Sequence, residues 1–146
     1  GSGALVSHGN LAFTPGAQLI QTGTVTLENG STITANLQGT VAPLTQQQYL
    51  SATTLVNNGV SFESNSLLYD IEGNIAGNIV QADTVVADLA NLSNDYNASQ
   101  FGAAMKSYVE NGATDSPVVA LANLAAGDIN GFEQVSNILS PAVSAL

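Results

Sequence analysis

A change of period divides this chain. Up to about Leu92 the apolar residues alternate with polar ones, or fall in short runs between Gly and Asn turns, as half-buried strands require. From Asn97 to Leu146 they recur at helical spacing instead. A strand stripe and a helix stripe cannot exchange roles, so the chain is expected to be mainly β with a C-terminal α part. Three helices are expected there. The first opens at Asn97, with Gln100 at capping-box distance, and lines up Phe101, Met105, Tyr108 and Val109 until Asn111-Gly112 stops it. The second has Ser116 as cap and Pro117 at its first position, faces Val118, Leu121 and Leu124 inward, and ends at Gly127. The third starts at Asn130 with Glu133 completing a second capping box. It buries Phe132, Val135, Ile138 and Leu139, and breaks or kinks at Ser140-Pro141, because the residue before proline disfavours the helical region.

The β-part is punctuated just as clearly. Ala4 to Ser7 and Leu11 to Phe13 are short apolar runs, and Thr14-Pro15-Gly16-Ala17 is a turn. Phe13, Gly16 and Leu19 are matched fourteen residues on by Leu27, Gly30 and Ile33, which suggests a repeated strand-and-turn device. Thr24 to Glu28 and Ser31 to Leu37 alternate, Gln38 to Gln48 reads as loop, and Tyr49 to Val56 is a strand closed by Asn57-Asn58-Gly59. Val60 to Glu63 and Ser66 to Glu72 follow as strands, the second with Leu67, Tyr69 and Ile71 on one face. Gly73-Asn74 then turns the chain, and Ile75 to Gln81 is a strand. Thr84 to Leu92 is ambiguous in its period, with Val85, Val86, Leu89 and Leu92 fitting a helical stripe that Asp83 would cap. Short strands stacked on equivalent strands, as in a β-helix, and hairpins in a β-sandwich both satisfy this pattern.

Composition excludes several functions. The chain has 146 residues, of which 45% are apolar, enough for a substantial core. Eleven acidic residues face a single basic one, Lys106, for a net charge of −10. Nucleic acid and anionic membrane surfaces are poor partners for such a surface. Cysteine is absent, so thiol nucleophiles and disulfides are ruled out; chains that cross a membrane unfolded share this trait. Gly1 to Ala4 reads as a cloning remnant, and neither a signal peptide nor a membrane-spanning helix is legible.

Catalytic and ligand motifs are scarce. The lone histidine, His8, has no second ligand or triad partner, and reads as exposed and inert. Asp70, Glu72 and Asn74 form D-x-E-G-N, whose glycine falls in the wrong place for a calcium loop; the reading is a solvated strand edge. A carboxylate pair for glycoside hydrolysis is not singled out, and glycine-rich phosphate loops are missing. Phe101, Tyr108 and Phe132 belong to helix stripes, hence to a core, and Lys106 to a wet face. No catalytic, metal or cofactor residue is therefore assigned.

With the whole chain in view, it resembles the C-terminal passenger region of bacterial autotransporters, of the type V secretion kind. In the β-part Tyr49, Leu50, Gly59, Phe62, Leu67, Tyr69, Gly73 and Asn74 carry the likeness. In the helical part Ala103, Ala104, Leu121, Leu124, Val135, Ile138, Leu139 and Ser140 stand at positions of the junction that precedes the barrel. Met105 replaces a commoner aliphatic residue, and the translocator barrel is not part of the stretch. The likeness covers about two thirds of the chain. It implies a fold: the end of a right-handed parallel β-helix capped by short strands, followed by two to three short helices. The implied divisions are the remnant at 1–4, terminal coils and cap at 5–92, and a helical junction at 93–146. It implies a role as well, as an autochaperone that caps the β-helix and promotes its folding and secretion. Such a segment is non-catalytic and uses no cofactor. Its partners are its own upstream coils and the downstream barrel, and its place is the cell surface or the medium, reached through the periplasm and outer membrane. Leu67, Tyr69, Ile71, Phe101 and Phe132 would form the core of the cap. The competing reading is an adhesin module, a virulence factor that recognises a host glycan or protein or associates with its own copy on another cell. A polysaccharide-cleaving β-helix enzyme is a third.

Overall fold

The structure, a computed structural model, describes residues 4–7, 9–16 and 20–144, the last five of these by their backbone alone. Eight strands precede three α-helices, as the change of period requires. The chain falls into two compact units. One takes residues up to 37, 44–65 and 71–85; the other takes 38–43, 66–70 and 86–146. The division is thus not a single cut near residue 92, because two short stretches of the β-part join the helical unit. Leu67 donates its N–H to the Leu124 carbonyl, and Leu68 accepts from the Ala87 N–H, which ties the stretch just before and at the start of the next strand to the helical unit.

In the β-unit, successive strands alternate between two sheets. β1 (Ala4–Ser7), β3 (Ile20–Leu27) and β5 (Leu44–Asn57) pair in parallel in one. β2 (Asn10–Phe13), β4 (Thr32–Ala35) and β6 (Ser61–Ser64) do so in the other. Three levels result, and residues at matching places stack. Leu5, Val25 and Leu55 form one inward column, and Leu11, Ile33 and Phe62 another. Ala4 pairs with Thr24 and Asn10 with Thr32, whereas Ile20 pairs with Leu50 and Thr32 with Ser61. The level-to-level offsets are therefore 20 to 22 and then 29 to 30 residues, so the fourteen-residue match is not the structural period. Gly16 and Gly30 mark two different corners of the path instead. Leu19, the other half of that match, lies outside the described residues, as does His8.

The corners are bonded as firmly as the strands. Glu28 N–H donates to the Ser7 carbonyl and Asn58 N–H to that of Leu27; Thr32 N–H donates to Gly9 and Ser61 N–H to Ser31. Gly30 and Gly59 stack here, with φ of +86° and +120°, a region that other residues enter at a cost. Asn65 donates to Asn36 Oδ1 and, through Oδ1 and Nδ2, ties both main-chain groups of Leu37. The middle level is the driest: Val25, Leu27, Ile33 and Ala35 are buried, while Leu5, Leu11 and Phe13 of the first level are half-buried.

In the sheet of β1, β3 and β5 the third level continues into antiparallel strands, while β6 is the last strand of the other sheet among the described residues. β8 (Ile79–Val86) lies along β5, and β7 (Tyr69–Ala76) lies beyond β8. Three expectations change here. Leu44 to Gln48 is strand rather than loop, because it pairs with β8 through a bulge at which Gln46 takes φ of +50° and donates its N–H to Asp83 Oδ1 at 2.6 Å. Residues 84–86 are strand rather than helix, and only a 3-10 turn follows, Leu89–Asn91. The chain reverses at Gly77-Asn78, not at Gly73-Asn74. Gly73 stays in the strand because β7 passes over Phe62 there: a Cβ would sit 2.2 Å from the ring.

In the helical unit, α1 (Tyr96–Glu110) buries Ala98, Phe101, Gly102, Met105 and Val109. Its cap is Asp95, whose carboxylate accepts the Ala98 N–H at 3.0 Å; Asn97 is already inside the helix. α2 (Ser116–Ala122) is preceded by Asp115 and buries Val118 and Leu121; it ends before Gly127. Ser116 is inside it, and the Asp115 carboxylate accepts a hydrogen bond from the Tyr108 hydroxyl. α3 (Ile129–Ser144) starts behind Asp128, which accepts the Gly131 N–H at 2.9 Å. Glu133 does not cap it but accepts from Ser93 Oγ at 2.8 Å. The helix runs through Pro141, which near a C-terminus removes a single backbone bond. Ile138 is 74% exposed: six residues past Phe132 at about 100° each, it lies off the stripe that Phe132 and Ser136 define. No helix among the described residues is long and apolar enough to cross a membrane.

Candidate functional site

A polar hollow of about 200 Å³ is framed by Gln46, Glu72, Asn74, Gln81, Ala82 and Asp83. β7 sets Asp70, Glu72 and Asn74 on its exposed side by simple alternation, so D-x-E-G-N is a solvated strand face. One oxygen of Asp83 accepts the Gln46 N–H. No group of three or more His, Asp or Glu that could hold a metal occurs among the described residues. Asp70, in the other unit, has its carboxyl raised above the usual range, first by burial and then by the neighbouring charge of Asp88. Asp88 in turn accepts from Asn91 Nδ2 at 2.7 Å.

The helical unit holds a mostly apolar hollow of about 180 Å³, lined by residues of 40–43 and 112–114 with Tyr69 and Val109. The Tyr69 hydroxyl accepts the Val41 N–H at 3.0 Å, which pins the short stretch 38–43 onto this unit. Burial pushes the Tyr69 phenol up, and that hydrogen bond pulls it back. The side-chain polar groups of the lining are the hydroxyls of Thr40, Thr114 and Tyr69, with no carboxylate, imidazole or amine among its residues to activate them.

Of the five residues expected in a cap core, Leu67, Tyr69, Phe101 and Phe132 are buried in this unit, and the two phenylalanine rings meet at 6.0 Å. Ile71 is half-buried and belongs to the β-unit. Sequence reasoning missed Leu68, which is fully buried, and Gly102, where a Cβ would lie 2.2 Å from the carbonyl oxygen of Leu89, a stripe residue that is itself fully buried. A glycine inside a helical stripe was the available signal for that close approach.

The feature with the clearest capacity to act is an edge. Among the described residues, β1 and β2 pair on one side only, with β3 and β4. Their other sides present peptide groups to be paired, and behind them lie half-buried Leu5, Leu11 and Phe13. Edge strands that must face water are normally guarded by charge, proline or bulges. Here neither strand has a charged residue or a proline, and all eleven acidic residues of the chain lie from Glu28 onward. The far side differs: β6 carries Glu63, and β7 carries Asp70 and Glu72. Chemically this arrangement can extend a sheet.

No family model matches the chain, and no curated protein or solved structure matches it.

Proposed function

We propose that this chain is the terminal segment of a right-handed parallel β-helix, and that it caps the helix and promotes the folding of the coils before it. One observation carries the reading. Three parallel levels continue, on one side and in one sheet, into antiparallel strands that bear charge; on the other side they end in two uncharged strands that, among the described residues, pair on one side only, over a half-buried core. A solenoid needs a cap at its end, because each repeat buries its apolar face against a neighbour. A preformed level also lowers the cost of adding the next, since the strand that docks finds its partner already ordered. In this reading Asn97 to Leu139 is the junction toward a translocator barrel, and the parent protein is a surface-exposed autotransporter whose passenger end this is. The segment is non-catalytic.

The test is refolding of the parent protein from denaturant, followed by far-UV circular dichroism, with and without residues 5–92. The reading expects the intact chain to regain its β-signal and the shortened one to fail or to lag. Equal rates and equal final stability would refute it.

A further inference from the structure

Three polar side-chain atoms of the β-unit are sealed from solvent without a hydrogen-bond partner among the described residues: Gln47 Oε1 and the hydroxyl oxygens of Tyr49 and Thr84. Thr84 is fully buried, and Tyr49 is 6% exposed. The pairing of β5 with β8 draws them together. Gln47 pairs with Ala82, and by alternation Thr84 lies on the same buried side of β8. Thr84 is close enough to Tyr49 to favour the ionised phenol, against the burial that pushes it up. Phe13 covers the Tyr49 ring, with 3.7 Å between the centroids. The backbone is irregular at the same place. The β5–β8 ladder shifts register between Leu44 and Gln47, and again between Gln48 and Leu50. The three side chains therefore stand within and beside two bulges. Buried polar atoms nearly always have a partner, because an unpaired one bears its full loss of hydration.

We propose that Gln47, Tyr49 and Thr84 hold one buried water, which bridges β5 to β8 where their ladder is broken. The donor and acceptor set selects it. The Gln47 oxygen only accepts, while each hydroxyl can donate and accept. A water that gives one proton to Gln47 Oε1, gives the other to one hydroxyl and accepts from the second satisfies all three atoms. Three bonds is the usual count for a buried water. None of the three side chains is charged, so an ion would find no counter-charge among them. The three atoms are close-packed, and the bulges let the strands part to admit the water. A bulged residue has no ladder partner to hold it, so the ladder yields there more readily than elsewhere. The water then supplies the rung that the shifted register leaves out. This joint lies within the β-unit. It does not rest on the capping role, and refolding of the parent protein neither supports nor refutes it.

A crystal structure of the unaltered chain that shows ordered water tests it, together with the melting temperatures of Thr84→Val, Tyr49→Phe, Gln47→Met and their pairs. The expected result is one water within hydrogen-bond distance of all three atoms. Each single variant should melt about 2–6 °C lower. Each pair should melt only slightly lower than its worse member, because one loss already breaks the shared bridge. A site without water overturns the inference. So do variants that melt at or above the unaltered chain, which would show three groups left unpaired. Coupling confined to Tyr49 and Thr84, with Gln47→Met additive to both, overturns it too, and assigns a direct bond between the two hydroxyls. Where a variant fails to fold, the water in the unaltered chain decides alone.

Discussion

In the β-unit a residue finds its partner 20 to 30 positions away, as Ala4 finds Thr24 and Ile20 finds Leu50; in the helical unit Asp95 caps Ala98 and Lys106 pairs with Glu110, three and four positions on. The helical unit can therefore form its elements locally and then pack them. The β-unit must close two long connections before its first inward column exists, and each such closure costs entropy in advance of any contact. The same contrast explains where each unit tolerates change. A helix survives the loss of one cap. A level cannot lose its place in a column without exposing the level beside it.

The largest effect is expected where the helical unit depends on one side chain. Phe132 is fully buried against Phe101, and Phe132→Ala should cost about 3–5 kcal/mol in urea denaturation. A cost under 1 kcal/mol would mean that the two rings do not form a shared core. Next comes the crossing of β7 over Phe62. Gly73→Ala puts a methyl group into the ring and should cost roughly 1–3 kcal/mol. The pair Gly73→Ala with Phe62→Leu should cost less than the sum of its parts. Strict additivity would show that the strand does not pass there. Asp95→Ala should lose about 1 kcal/mol, and Asp95→Asn much less; Asn97→Ala should be nearly silent, which separates the observed cap from the expected one.

The smallest effect is electrostatic. Because burial and Asp88 raise the Asp70 carboxyl in the folded chain, the folded state binds that proton more tightly than the unfolded one. Its contribution is thus intact in acid, below the ordinary carboxylate range, and is lost as pH rises through the raised value. Asp70→Asn should raise the melting temperature slightly at neutral pH, with the gain vanishing in acid. A gain of equal size at both pH values would assign the effect to something other than ionisation.

How much was legible follows the same contrast. Phe101, Met105 and Val109 could be read as a stripe because their contacts repeat every turn of one helix. The cap was misplaced by two residues because Asp95 and Asn97 are both competent, and what decides is whether the preceding backbone is extended. The fourteen-residue match misled because Gly16 and Gly30 sit at different corners, and a single repeat length cannot describe levels of unequal size. Gly73-Asn74 has a turn's residues, but Phe62 comes from another sheet, beyond the reach of any local window. The strand from Leu44 was hidden by Pro43 and three consecutive glutamines, and only its pairing with β8 makes it a strand. The open edge was not legible at all. Nothing in Ala4–Ser7 or Asn10–Phe13 says which side will be covered until the topology is known; the missing charges there gain meaning only afterwards.

The central claim is that β1 and β2 form an edge built to receive another parallel level. It is tested most directly by duplicating residues 4–23 ahead of Ala4, which repeats the 20-residue offset between Ala4 and Thr24, and measuring amide hydrogen exchange. The account predicts that the added stretch becomes protected and that the amides of β1 and β2 slow toward those of β3 and β4. An added stretch that exchanges as an unstructured chain, with β1 and β2 unchanged, would contradict it.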